Sequence, residues 1–318
     1  MIQCEIYSGH RFLRRDFRTA SGSLREKQIL QLIFKRGHQP VFVWELALSP
    51  SLGEMPNDIL KEIGTLLGNI EQARSSMISR ALSFAKASLA GHSFSVHRDA
   101  LKLSIINVPI GSEDQAGQVQ HGVAKLKGDP TNIEKLIELT RSTTHPIIVD
   151  FNGSLDDKSW KDFAESCRAE ALLYIEQPQH PSQPALLSNI GFPVYADESC
   201  QLWAINELRR QGYKGVVLKL MRYNFGDLKR MIEISRSVQM QSVLGRMVGD
   251  YIEEWHLRQF SAAASINVSN WQDTRELSSF DVVPDWVVSL NTTPPWEEMA
   301  TYVCATYTHV LTIPTALE

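Results

Sequence analysis

Five short stretches decide how this chain folds: AKLKGD (residues 124–129), PIIVDFNG (146–153), LLYIEQP (172–178), PVYADES (193–199) and GVVLKLM (215–221). Each carries a charged residue at the end of an apolar run. These residues are Lys127, Asp150, Glu176, Asp197 and Lys219, spaced 23, 26, 21 and 22 residues apart. A strand, a helix and two short loops fill about that length. The charges therefore recur once per βα unit, always at a strand end.

The segments around them carry the same alternation. Pro146–Asp150, Ala171–Glu176, Val194–Asp197, Gly215–Leu220 and Gln241–Gly245 read as strands, with Trp286–Leu290 as one more. Thr131–Arg141, Asp156–Ala169, Pro184–Ile190, Gln201–Gln211, Phe225–Ser237 and Gly249–Ala264 read as helices. Repeated β-then-α predicts a parallel sheet with right-handed crossovers. The strands are apolar throughout, as in sheets covered on both faces. At least six such units in series favour a closed α/β barrel, whose functional groups gather at the C-terminal ends of the strands. All five charges sit there.

Residues 1–99 have a different texture and read as an α+β domain. Gln3–Tyr7 and Pro40–Leu46 are strand-like, and Asp58–Leu67 and Ser75–Ala90 helix-like. Residues 100–290 form the expected barrel. Residues 291–318, opening near Pro294-Pro295, are expected to pack back on the N-terminal domain.

Composition excludes several classes. The 318 residues are 43% hydrophobic, too apolar for a disordered chain. No apolar run approaches the roughly 20 residues that span a bilayer. The opening MIQCEIYSGHRFLRRDF has no signal-peptide core, which predicts a cytoplasmic protein without a membrane partner. A net charge of −4 without a basic cluster argues against nucleic acid. The four cysteines form no CxxC, the nine histidines no HExxH, and there is no P-loop or GxGxxG. Cys200, close to Asp197, reads as a buried structural thiol.

Singly, Asp150, Glu176 or Asp197 could cap the following helix. Three on consecutive strands of one barrel instead share a mouth, where their mutual repulsion calls for a hard cation. Oxygen donors without Cys or His point to Mg²⁺, with Mn²⁺ as a substitute. Lys125 and Lys127 are two apart on one strand and share a face. Crowding beside Lys219 is expected to depress the lysine pKa values, fitting one lysine for use as a general base. Glu198, Asp156 and Asp157 are expected to support or cap. A base, a metal and an opposed lysine suit removal of a proton next to a carboxylate.

The K-x-K, the Asp of VDFNG, the Glu of YIEQP, the Asp of ADES and the Lys of VLKL together resemble the muconate-lactonising branch of the enolase superfamily. The likeness runs from about residue 100 to 265. Phe17–Gly22 is similar to that branch's substrate loop, and Trp44-Glu45 with Leu52-Gly53 to its second capping loop. The resemblance implies a (β/α)7β modified TIM barrel with an N-terminal α+β capping domain. It also implies Mg²⁺ on Asp150, Glu176 and Asp197, with Lys127 as base, Lys125 as its tuning neighbour and Lys219 across the ring. Arg18, Ser21, Gly245, Arg246 and Met247 are the implied contacts to a small carboxylate substrate.

Within the branch the chain resembles the o-succinylbenzoate synthases, which dehydrate 2-succinyl-6-hydroxy-2,4-cyclohexadiene-1-carboxylate. Residues 279–283, SFDVV, hold one Asp where dipeptide epimerases carry D-x-D. An N-acylamino acid racemase or dipeptide epimerase on the same scaffold is the alternative. A non-catalytic, metal-dependent binding barrel is a second.

Overall fold

The computed structural model describes residues 2–19, 22–47, 56–65, 76–92, 103–118, 122–183, 187, 190–245, 247, 249–261, 268–269, 286, 294–315 and 317. Two sheets organise them. The first is antiparallel: β1 (Ile2–Thr19), β2 (Gly22–Arg36) and β3 (Gln39–Ala47) form a meander, and β12 (Thr308–Thr315) pairs with the outer side of β1. The C-terminal strand thus joins the N-terminal sheet. Helices α1 (Pro56–Thr65) and α2 (Ser76–Leu89) follow the meander. Met77, Ile78, Ala81, Leu82, Phe84 and Ala85 bury one face of α2, and Trp44 of β3 stacks on Phe84 at 4.4 Å.

The second sheet is parallel. In chain order its strands are β4 (Leu103–Val108), β5 (Val123–Lys127), β6 (Ile147–Asp150), β7 (Leu172–Glu176), β8 (Val194–Ala196), β9 (Gly215–Lys219), β10 (Gln241–Gly245) and β11 (Val268–Ser269). Each strand from β4 to β9 pairs with the next, and β11 pairs with β4. Because β11 also lies against β10, the sheet curls into a modified (β/α)7β barrel. Its helices are α3 (Ile133–Ser142), α4 (Asp157–Ser166), α5 (Ile205–Gln211), α6 (Phe225–Ser237) and α7 (Tyr251–Ser261), and α8 (Trp296–Thr306) leads into β12. None of the helices described is long and apolar enough to cross a membrane.

Several expectations need correction. The N-terminal strands are far longer than their apolar cores, because β1 and β2 continue as a hairpin through charged residues. Trp286 is helical, and the last barrel strand is β11. Residues 287–290 lie outside those described. So does most of 184–190, where a helix was expected. Helix α5 starts at Ile205 rather than Gln201, because two tight turns follow β8: Cys200 N–H donates to Asp197 O and Ala204 N–H to Gln201 O, both at 2.9 Å. Asp156 caps α4 as expected, accepting from Ser159 N at 2.7 Å.

A buried polar junction fastens the antiparallel sheet to α7. Asp250, just before the helix, accepts from Arg11 Nε at 2.9 Å and from Tyr302 Oη at 2.6 Å, and also from Tyr307 Oη. Glu45 of β3 accepts from the Asp250 N–H and from Gln31 Nε2. Burial, then the charges of Asp250 and Glu253, push the Glu45 carboxyl up to about 8, from 4.5. A raised acid gives stability that is complete below its unfolded pKa and is lost as pH rises through the folded one. Glu45→Gln should therefore flatten the fall in Tm between pH ~5 and ~9 and leave the variant more stable than the parent at the alkaline end. Parallel thermal melts across that range check this, and an unchanged slope would refute it.

Candidate active site

The barrel interior is built in layers, because alternate residues of each strand face inward. Val123, Ile148, Tyr174, Tyr195, Val217 and Val243 pack together with Ile105 as one apolar layer. Tyr174 and Tyr195 stack there at 4.2 Å, nearly coplanar. Two residues further along the same strands stand Lys125, Asp150, Glu176, Asp197, Lys219 and Gly245. Lys127 follows Lys125 on the same face. The charged layer thus lies directly above a dry one, at the C-terminal strand ends.

Register aligns these groups. Lys127 pairs with Asp150, Asp150 with Glu176, and Lys219 with Gly245. Gly245 is needed where it stands: a Cβ there would lie 2.7 Å from Val217 Cγ1. Lys127 Nζ donates to Asp150 Oδ2 at 2.6 Å. Lys125 Nζ bridges Asp150 Oδ2 at 2.9 Å and Glu176 Oε2 at 2.7 Å. Lys219 Nζ donates to Asp197 Oδ2, and Arg222 Nη1 holds Asp197 Oδ1 at 2.8 Å. All three carboxylates are buried, with Glu176 and Asp197 fully inaccessible.

The titration behaviour follows from these contacts. Burial would raise the Asp150 carboxyl, but Lys125 and Lys127 outweigh it and hold it well below the usual range. Asp197 is lowered in the same way, with burial overcome by Lys219 and Arg222. Glu176 goes the other way: burial, then the charge of Asp150, push it up to about 8. Lys125 corrects an expectation. Burial does favour its neutral form, but Asp150 and Glu176 prevail and raise it well above its ordinary value. Contact with carboxylates dominates the lysine–lysine repulsion on which the expectation rested.

Among the described residues, no three acid, His or Cys side chains close around a single point as a finished metal cage. Each carboxylate is turned toward a cation, as like charges spread apart require. The donor set still suits a hard divalent ion, being all carboxylate oxygen. One lone oxygen supports that fit: Glu176 Oε1 is buried and accepts no hydrogen bond from any described residue. Such a group is costly unless something satisfies it.

Several participants escaped the strand-end pattern. Arg222 lies on the short 3-10 turn Leu220–Arg222 after Lys219. Asn152 has a left-handed φ of +47°. Its Oδ1 lies 3.4 Å from Lys127 Nζ, and its Nδ2 donates to Glu198 Oε1 at 3.3 Å. Glu198 is raised by burial and by Asp197. The Asn-Gly pair in VDFNG was the available signal for Asn152, since both residues favour positive φ. Arg222 gave only a basic residue one turn beyond Lys219.

Other candidates fall elsewhere. Arg18 pairs through its backbone with Ser23 on the β1–β2 hairpin, and its side chain lies outside those described. Ser21, Arg246 and residues 279–283 lie outside the described residues too. Met247 is anchored between β2 and α7: its N–H donates to Glu253 Oε1 at 2.8 Å, and its carbonyl accepts from Lys27 Nζ. Cys200 is buried, and that burial pushes its thiol up to about 12, far from a nucleophile.

No protein-family model matches the chain, and no curated protein matches it either. Solved structures do. An enolase family member from Agrobacterium tumefaciens with homology to dipeptide epimerases, bound to sodium and L-Ala-L-Glu, superposes with a TM-score of 0.67 at 16% identity, over 89% of this chain and 94% of that one. The dipeptide epimerase of Enterococcus faecalis, complexed with Mg and L-Leu-L-Tyr, gives 0.68 at 17% identity, over 84% and 88%. Muconate lactonizing enzyme from Pseudomonas fluorescens, complexed with muconolactone, gives 0.65 at 17% identity, over 100% and 95%. The fold is therefore that of the enolase superfamily: an N-terminal capping sheet on a modified (β/α)7β barrel.

Proposed function

We propose that this chain is an enzyme that uses a divalent cation to remove the proton next to a substrate carboxylate, and specifically an o-succinylbenzoate synthase. One observation carries the reading. Lys127 and Lys219 stand on β5 and β9, four places apart in the strand order, with three buried carboxylates on the strands between them. A binding module needs no such pair of opposed bases.

Asp150, Glu176 and Asp197 would hold Mg²⁺, the ion with which the solved dipeptide epimerase is complexed. When bound, the cation lowers the cost of negative charge building on the substrate carboxylate. Lys127 takes the proton from the carboxylate-bearing carbon. The C–O bond to the ring hydroxyl then breaks, Lys127 returns its proton to the departing oxygen as water, and the ring becomes aromatic. Lys125, fixed by two carboxylates, keeps its charge and steadies the substrate anion. Lys219 faces the ring from the far side, where a cation–π contact is available.

Charge supports a carboxylate substrate. With Lys127 as the base, Lys125, Lys219 and Arg222 remain as cations paired with Asp150, Glu176 and Asp197. A bound divalent cation would add positive charge to the cluster, which suits an anionic ligand.

The epimerase reading keeps a specific support, since two lysines on opposite sides can each serve one enantiomer. Direct assay separates the two. Purified protein with Mg²⁺ is expected to convert the cyclohexadiene substrate to o-succinylbenzoate. Lys219→Ala should then slow dehydration far less than Lys127→Ala. Epimerisation of dipeptides without dehydration, with each lysine variant losing one direction, would replace the synthase reading.

A further inference from the structure

Gln177 directly follows Glu176 at the end of β7 and is fully buried. Its φ of +36° is left-handed, a conformation that non-glycine residues seldom adopt. Every polar group it carries is engaged. Its N–H donates to Tyr195 O on β8 at 2.9 Å, and its carbonyl accepts from Gly153 N in the loop after β6 at 2.7 Å. The side-chain oxygen accepts from Asp197 N and Ser199 N, both at 3.0 Å. The side-chain nitrogen donates to Gln179 O at 2.8 Å and to Ser199 Oγ at 2.7 Å. The reverse amide orientation would set donors against two N–H groups, so these contacts fix it.

Those bonds reach the loops that follow all three candidate metal-binding strands. Pairing between β7 and β8 ends at Glu176↔Tyr195. Beyond it, the Gln177 side chain carries the connection to the backbone of Asp197 itself. On the other side, Gly153 N is held one residue from Asn152, which in turn contacts Lys127. Gly153 has little room to move: a Cβ there would come 3.3 Å from Gln179 O, and its φ is +72°.

We propose that Gln177 is a positioning residue that sets the separation of Asp150, Glu176 and Asp197 for a divalent cation. It touches no reacting atom and acts through the backbone of its neighbours. The inference rests on the metal-binding reading above. Partners of this kind, one shell behind the ligands, typically govern metal affinity by about 10–100-fold. A role confined to stability would leave the affinity of the folded protein unchanged.

Calorimetric titration of Mg²⁺ into substrate-free wild type, Gln177→Ala and Gln177→Leu, with thermal melts alongside, tests this. Wild type is expected to bind, and folded variants to bind at least ~tenfold more weakly. Their kcat should fall at fixed Mg²⁺ with the substrate KM little changed. Should either Gln177 variant fail to fold, Ser199→Ala removes the hydroxyl that accepts from the Gln177 amide and should still weaken Mg²⁺ binding several-fold. Folded variants with wild-type affinity would overturn the positioning role and leave the metal reading standing. Wild type that binds no Mg²⁺ would overturn the metal reading and, with it, this inference.

Discussion

Lys127→Ala should cut turnover of the cyclohexadiene substrate by about 10²- to 10⁴-fold, the usual worth of a general base. The loss should fall on kcat, with substrate KM nearly constant, because the missing group acts in the transition state. Folding should survive the change. Asp150 keeps Lys125 at 2.9 Å and the Asn152 N–H at 3.0 Å, so its buried charge is not stranded. A melt close to that of wild type, combined with lost turnover, is the expected pair of results. Near wild-type turnover in a correctly folded Lys127→Ala would show that the base lies elsewhere.

Loss of the cation should be equally severe. Treatment with a chelator is expected to stop turnover, and added Mg²⁺ to restore it. Glu176→Gln should reproduce the defect by at least ~10²-fold, because it removes charge from the middle of the three carboxylates. Its stability should hold or rise. The Glu176 carboxyl is fully buried, and a neutral isostere escapes the desolvation that its anion suffers. Activity that persists undiminished through chelation and through Glu176→Gln would remove the metal from the account.

Strand ends were legible because the charges there interrupt long apolar runs. Asp150 and Glu176 close their strands at the expected residues, β9 ends at Lys219 one residue before the expected Leu220, and Asp197 comes one residue past β8. The β-then-α rhythm is short-range, and six to eight repeats of it leave few folds open. The N-terminal hairpin was harder to see. Its strands run through Arg11, Glu26 and Lys27, and pairing with a neighbour, rather than local apolar pattern, defines them. The terminal strand β11 was missed because Val268-Ser269 belongs to no apolar run.

Within the site, charge type and spacing predicted which residues meet, but not how they share protons. Lys125 is a fixed cation because two carboxylates converge on it in three dimensions, a fact no linear spacing contains. Arg222, Asn152 and Gln177 have the same origin. Each lies just past a strand end and acts sideways, onto the loop of a neighbouring strand.

The account's central claim is that Lys127 removes the proton next to the carboxylate at this cation-dependent site. Substrate carrying deuterium on that carbon tests it most directly, with release of the label into ordinary water followed by deuterium NMR in the presence of Mg²⁺. Wild type should release the label as fast as it turns over, and chelation or Lys127→Ala should abolish the release. Label released undiminished by Lys127→Ala, or by the chelated wild type, would contradict the claim.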